Sequence, residues 1–434
     1  MKDIKGQLSL FDYLDNSYKI TKPIRLIELF GGYGSQLMAL KRIGADVTPY
    51  KLSEWNTYAT KAWNSIHGTD RTDYAADFSK EELVDTLYDL GVSLDGKTPV
   101  DKKTLSRKNI SWLQSTFNDF KQSNNIGSLC NFHADALNIC DTEHFEYIMT
   151  YSFPCQDLSV AGKQRGMEKG SGTRSGLLWE VERLLQESVH EDLELPQILM
   201  MENVPMVISK KNLPVFEDWL RFLTSIGYSN FYQCMQAKDF GVPQSRNRCF
   251  MISILNTDKT YAFPKTIPLT KCVKDLLKSD VDEKYYINNE KADLLIRQLI
   301  DSGAIKKTGL YLTNEKTVRV KQATKQGYID CKIGGVADLS YPYSNTRRGR
   351  VQDNGDTSPT ITATETGVCV IEDASKVYYR IRKLTPIECG RLMDVSDEDI
   401  AKIKAIGISD SQMYKLFGNS IVVGVMCHLF SQML

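Results

Sequence analysis

Apolar positions along the chain come in short runs separated by amphipathic stretches. Ile24–Leu29 reads as a buried strand, Ser35–Ile43 as a helix, Val47–Leu52 as a second strand and Thr57–Ser65 as the helix after it. Further apolar runs fall at Tyr147–Tyr151, Ile198–Met201 and Cys249–Ile254. Short apolar runs alternating with helical stretches predict an α/β fold: an open, mostly parallel sheet with helices on both faces.

Two regions interrupt this rhythm. Residues from about Asp70 to Leu129 are polar, with Leu83, Leu87 and Leu90 at helical spacing behind a Ser79/Glu82 capping box. A second helix is predicted at Ile110–Phe120, and the region reads as an insertion. From about Asn256 to Ser375, glycine and threonine clusters and β-like runs such as Val368–Ile371 predict a separate small domain. Behind it, Leu384-Thr385-Pro386-Ile387-Glu388 opens a helix, with Thr as cap, Pro in the first turn and Glu three residues after the cap. The expected plan is a tail at 1–20, a main domain at 21–255 carrying the insertion at about 70–129, a small domain at 256–375, and a segment at 376–434 that returns to the main domain.

Composition constrains this picture only loosely. The 434 residues suffice for one large and one smaller core, and 42% hydrophobic with 25% charged residues fits a soluble protein. No run is read as apolar for long enough to cross a membrane, and the N-terminus lacks the basic-then-apolar order of a secretory signal. Ten cysteines lie at irregular spacings; Cys130 and Cys140 flank His133 without matching a zinc pattern, so free thiols and no metal are expected. The net charge of zero hides a local excess. Lys306–Arg350 carries ten Lys or Arg against three Asp or Glu, about +7, which is either a solvated face or a nucleic-acid surface.

Candidate chemistry sits at the ends of the predicted strands. Leu29-Phe30-Gly31-Gly32-Tyr33-Gly34 joins the first strand to a helix, and glycines there admit a ligand close to the backbone. Position 37 is Leu37 where a dinucleotide fingerprint needs glycine, which disfavours a nicotinamide enzyme. Glu54 at the tip of the second strand suits a ribose diol, and Trp55 suits stacking on adenine. Pro154-Cys155-Gln156 follows the 147–151 strand and precedes a loop with Gly162, Gly166, Gly170, Gly172 and Gly176 among Lys163, Arg165, Lys169 and Arg174. A stabilised thiolate at Cys155 would be a nucleophile, and the basic loop suits a lid over a phosphate backbone. Glu202, in Glu202-Asn203-Val204, ends another buried strand, where an apolar surround would raise its pKa towards that of a neutral-pH proton donor. Arg246 and Arg248, two apart on an extended chain, point the same way and are expected to meet one partner. Phe417-Gly418-Asn419-Ser420 is read as the start of the last apolar helix. Taken singly, these motifs also fit a tight turn, a surface acid, an inert thiol or a helix cap.

Their order and spacing resemble the cytosine-5 DNA methyltransferases over most of the chain. The resemblance implies a Rossmann-like S-adenosylmethionine-dependent sheet and a smaller target-recognition domain. It implies S-adenosylmethionine held by Phe30, Gly32, Gly34, Glu54, Trp55, Asp135, Pro154 and Asn419. Cys155 is then the nucleophile that adds to C6 of cytosine, Glu202 holds and protonates N3, Arg248 orients base and acid, and Arg246 supports them. The target base flips out of duplex DNA. Gln156, Ser159, Lys163 and Arg165 of the loop lie near DNA, and Thr360-Ile361 resembles the Thr-Leu pair found late in recognition domains. The insertion widens the gap between two cofactor motifs, which loosens the assignment of Asp135. Gln7-Leu8-Ser9-Leu10-Phe11 resembles the pentapeptide that docks bacterial proteins on the replication sliding clamp. A monomer in a bacterial or phage-infected cytoplasm is expected. RNA methyltransferases of the same lineage are the nearest alternative; a non-catalytic relative would lack Cys155 or Glu202, and an amino-methyltransferase would carry an Asp/Asn/Ser-Pro-Pro-aromatic motif not found here.

Overall fold

A computed structural model describes residues 16–154, 169, 174–287, 310–312, 317–341, 344–363, 367–373 and 379–434. The chain divides into two units, Met1–Met235 with Asn247–Lys265 and Val425–Leu434, and Gln236–Arg246 with Thr266–Gly424.

The first unit is built on β1 (Ile24–Leu29), β2 (Val47–Ser53), β3 (Glu146–Tyr151), β4 (Ile198–Asn203), β5 (Tyr228–Gln236) and β7 (Asn247–Leu255), with β6 (Gln244–Ser245) belonging to the second unit. The sheet order is β2-β1-β3-β4-β7-β5. β2, β1, β3 and β4 run parallel, and β7 is antiparallel to β4. Parallel neighbours bring the C-terminal ends of β1 to β4 to one edge, where ligands of open α/β sheets bind. Ile27, Leu29, Tyr147, Met149, Tyr151, Leu199 and Met201 share a buried cluster with α6 (Leu178–His190) and α7 (Leu213–Ser225). The intervening Leu26, Ile148, Met200 and Ile252 are also buried, so both faces of the sheet are covered.

Helices α1 (Ser35–Arg42) and α2 (Thr57–His67) follow β1 and β2. The insertion folds as α3 (Lys80–Asp89), α4 (Lys102–Ser106) and α5 (Ile110–Gln122). Its capping box at Ser79 and Glu82 forms, and Leu83, Leu87, Leu105, Leu113, Phe117 and Phe120 give it a core of its own. Residues 16–20 are tied down rather than loose. The Tyr18 hydroxyl donates to Glu146, and the amides of Tyr18 and Ile20 donate to the carbonyls of Thr260 and Met433.

In the second unit, Tyr328–Lys332, Thr317–Lys321 and Leu310–Leu312 form one three-stranded sheet, and Val336–Asp338, Val368–Asp373 and Tyr379–Lys383 another. α8 (Pro386–Leu392), α9 (Asp397–Ala405) and α10 (Asp410–Asn419) complete it, and α11 (Val423–Ser431) carries the chain back to the first unit. Only Val425–Leu434 of the 376–434 segment lies in the first unit, and Gln236–Arg246 lies in the second. The stretch Asp410–Ser431 has a mean hydropathy of 1.3, enough for a membrane span by composition, contrary to the sequence expectation. It is 67% buried within the fold and breaks at Ser420 into two helices, which marks it as core.

Candidate active site

The turn after β1 is shaped by backbone conformation. Phe30, Gly32 and Gly34 all take positive φ, at 57°, 58° and 80°. A Cβ at Gly34 would lie 2.6 Å from His67 Nε2, so that glycine is required by packing. A Cβ at Gly32 would meet nothing within 4 Å, which leaves that face of the turn open for a ligand. The Phe30 amide donates to Ser53 at the end of β2, which joins the turn to the segment carrying Glu54.

Glu54 closes the far side of this cradle. Its Oε2 accepts from the Gly32 amide at 3.0 Å and its Oε1 from the Asn56 amide at 2.8 Å. Burial pushes the carboxyl up from its ordinary value, against the opposing pull of these backbone donors. Each oxygen keeps a second lone pair, so the acid can still accept from a vicinal diol. Trp55, partly exposed, follows it. Asp135 is exposed on a single helical turn, Ala134–Leu137, that precedes β3.

Sequence reading missed Glu28, although an acid inside the run Ile24–Leu29 was a visible signal. It is 1% exposed beneath the turn. It accepts from Trp63 Nε1 at 2.9 Å and the Leu37 amide at 3.3 Å, and burial pushes its carboxyl up to about 7.

At the ends of β3 and β4, Tyr151 lies beside Met201, so Pro154 and Glu202 emerge on the same edge of the sheet. The Asn203 side chain donates to the Phe153 carbonyl at 3.0 Å and locks the two strand ends together. Glu202 is buried, and its Oε1 lies 2.9 Å from Arg248 Nε on the antiparallel neighbour β7. Cys155, Gln156, Ser159, Lys163, Arg165 and the Gln7–Phe11 motif lie outside the described residues.

Arg246 and Arg248 do not converge. β6 stops at Ser245 and β7 starts at Asn247, which breaks the two-residue alternation between them. Arg246, 4% exposed, donates to the carbonyls of Ile361 at 3.2 Å, Gly418 at 3.2 Å and Ser420 at 2.6 Å. It is a structural strap of the second unit, whereas Arg248 serves the acid. Gln244 is likewise internal, bonded to Leu392 O and Ile361 N.

The Gly418-Asn419-Ser420 motif closes α10 rather than opening the last helix, because Ser420 is extended and α11 begins at Val423. A Cβ at Gly418 would sit 2.3 Å from Ala363 N, so this glycine lets two backbones touch, and Asn419 is exposed at the helix end. The Thr360 hydroxyl donates to Ser245 O at 2.5 Å. In the basic stretch, Arg350 is buried on the carbonyls of Asp338, Ser340 and Tyr341, and Arg347 pairs with Asp338 at 2.7 Å. Lys325 and Arg348 are exposed. The local charge is therefore partly compensated inside its own fold.

A covered, mainly parallel sheet with a glycine turn, the acid Glu54 and a buried Glu–Arg pair at one edge is the layout of the methyltransferase class of α/β fold. The sequence profile of the C-5 cytosine-specific DNA methylases matches residues 89–434. The chain belongs to that family and is a C-5 cytosine DNA methyltransferase. It is 33% identical to the orphan methyltransferase M.SssI of Spiroplasma monobiae, covering 94% of this chain and 96% of that one. It is 31% identical to the type II methyltransferase M2.ScrFI of Lactococcus lactis subsp. cremoris, covering 94% and 99%. The fold is shared with the Dnmt2 methyltransferase of S. pombe, with a TM-score of 0.54 and 16% identity over 94% of this chain and 98% of that one.

Proposed function

We propose that the protein transfers a methyl group from S-adenosylmethionine to C5 of a cytosine flipped out of a specific duplex DNA sequence, through a covalent adduct at Cys155. The observation that carries this reading is the buried Glu202–Arg248 pair at the strand end beside Pro154. S-adenosylmethionine fits the cradle: the open face of Gly32 admits the backbone approach of an adenosyl group, and Glu54 offers acceptors to its ribose. Phe30, Gly34, Trp55, Asp135, Pro154 and Asn419 are the remaining proposed contacts. When bound, it supplies an electrophilic methyl group.

C5 of cytosine is a weak nucleophile, and the protein's residues are proposed to change that. The Cys155 thiolate adds to C6 while Glu202 delivers a proton to N3, so the ring becomes an enamine whose C5 is electron-rich. Arg248 holds the Glu202 carboxyl in one orientation through the 2.9 Å contact. Once C5 carries the methyl group, a base removes the C5 proton, the C6–S bond breaks, Cys155 departs as thiolate and N3 returns its proton to Glu202. Gln156, Ser159, Lys163, Arg165 and Thr360 are proposed to face DNA. The enzyme is proposed to act as a monomer in a bacterial or phage-infected cytoplasm, with Gln7–Phe11 as a sliding-clamp motif. A peptide of residues 1–17 that fails to bind purified clamp would remove that last element.

The mechanism is tested with duplex DNA carrying 5-fluorocytosine, from which the C5 substituent cannot leave as a proton. Incubation with S-adenosylmethionine should give a complex that survives denaturing electrophoresis and is absent for Cys155→Ala. Cofactor binding without any such complex would overturn the covalent step.

A further inference from the structure

The insertion between β2 and β3 does more than lengthen the chain, because two of its segments, the loop at Ser93 and residues 124–126, grip the segment that carries Glu54. On one side, the Ser93 amide donates to the Trp55 carbonyl at 2.7 Å, and the Thr57 amide donates to the Ser93 carbonyl. On the other, residues 124–126 run parallel to the free edge of β2, with the Leu52 amide donating to Asn124 O and the Ile126 amide to Leu52 O. Asn125 then makes the decisive contacts. Its Nδ2 donates to the Glu54 carbonyl at 2.8 Å and its Oδ1 accepts from the Glu54 amide at 3.2 Å. The same side chain bonds Thr60 Oγ1 at 3.0 Å and the Gly127 amide at 2.9 Å. Asn125 is 6% exposed, so no water competes for these bonds.

We infer that Asn125 is a positioning residue for the cofactor acid, and that the insertion is a structural wall of the cofactor site. An amide side chain that holds both backbone polar groups of one residue fixes that residue's φ and ψ. It thereby fixes the direction of the Glu54 carboxylate, which spans Gly32 and Asn56. The inference rests on Glu54 as the ribose acceptor. The insertion supplies this brace from a separately packed core, which makes the rigidity of the acid depend on α3 to α5 being folded.

The test is a double-mutant cycle on full-length protein, with S-adenosylmethionine binding measured by calorimetry. Asn125→Ala should weaken binding about tenfold and raise the KM for the cofactor, while kcat at saturating cofactor stays near wild type. Glu54→Gln should weaken binding at least as much, and adding Asn125→Ala to it should cost little more, because the brace then holds nothing the ribose needs. Asn125→Asp, which keeps one acceptor and loses the donor to Glu54 O, should fall between. Fully additive losses in the double variant, or wild-type affinity in Asn125→Ala, would overturn the inference. A wild-type protein that binds no S-adenosylmethionine would instead overturn the cofactor reading beneath it.

Discussion

Glu202 and Arg248 hold a carboxylate and a guanidinium 2.9 Å apart in a largely buried setting. Removing the cation leaves the acid without its orienting charge, and truncating one member of such a pair costs about 2–5 kcal/mol. Arg248→Ala is therefore expected to lower kcat on duplex DNA by on the order of a hundredfold, leaving calorimetric cofactor affinity unchanged; equal kcat would refute the orienting role. Glu28 makes a different prediction. Its folded-state pKa, about 7, lies above the unfolded value, so the folded protein binds the extra proton between about pH 4.5 and 7. Its contribution is fully present below the lower value and is lost as pH rises through about 7, by about 3 kcal/mol at most. Urea midpoints of wild type should fall between pH 5 and pH 8, and Glu28→Gln should flatten that fall. Parallel pH profiles for the two proteins would contradict the assignment.

Elements were legible where hydrophobic period and capping agreed. β1, α1, α3 and α5 start where the sequence places them, as does α8 behind its Thr385/Glu388 capping box, whereas the short α4 of the insertion was not foreseen. β5 was not seen, because this edge strand is mostly half-exposed and carries Ser, Asn and Gln between its aromatics. Contacts set by tertiary structure were also hidden. Nothing local says that Arg246 binds three carbonyls, that Asn125 reaches Glu54, or that Arg382 and Glu388 form a fully buried bidentate pair at 2.9 Å. That pair anchors the capping box of α8, since Glu388 also accepts from the Thr385 amide. Arg382→Met should destabilise the protein by about 3–5 kcal/mol in chemical denaturation, because it strands a buried carboxylate. A loss under 1 kcal/mol would show that Glu388 finds another partner. The two motif glycines should separate cleanly. Gly418→Ala forces backbone atoms apart and should lower the melting temperature, whereas Gly32→Ala meets no protein atom, adds the strain of positive φ, and should act mainly on cofactor affinity.

For the whole molecule, the motifs are distributed between two units. Phe30 to Glu202 and Arg248 belong to the first, and Gln244, Arg246, Thr360 and Asn419 to the second. The chain passes from the second unit to the first between Arg246 and Asn247, so Arg246 straps the second unit while Arg248 pairs with Glu202 in the first. Exposed Lys325 and Arg348 mark the second unit's proposed DNA-facing charge. Replacing either cation with Ala is expected to weaken duplex binding across sequences and reduce the slope of log affinity against log salt by about 1; an unchanged slope would place that cation away from DNA. The central claim is tested most directly by methylating an unmethylated plasmid with purified protein and S-adenosylmethionine, read by bisulfite sequencing beside Cys155→Ala. Cytosines protected within one short motif by wild type, and by none of the variant, are the predicted result. Uniform conversion of every cytosine by bisulfite, from a protein that binds the cofactor, would contradict it.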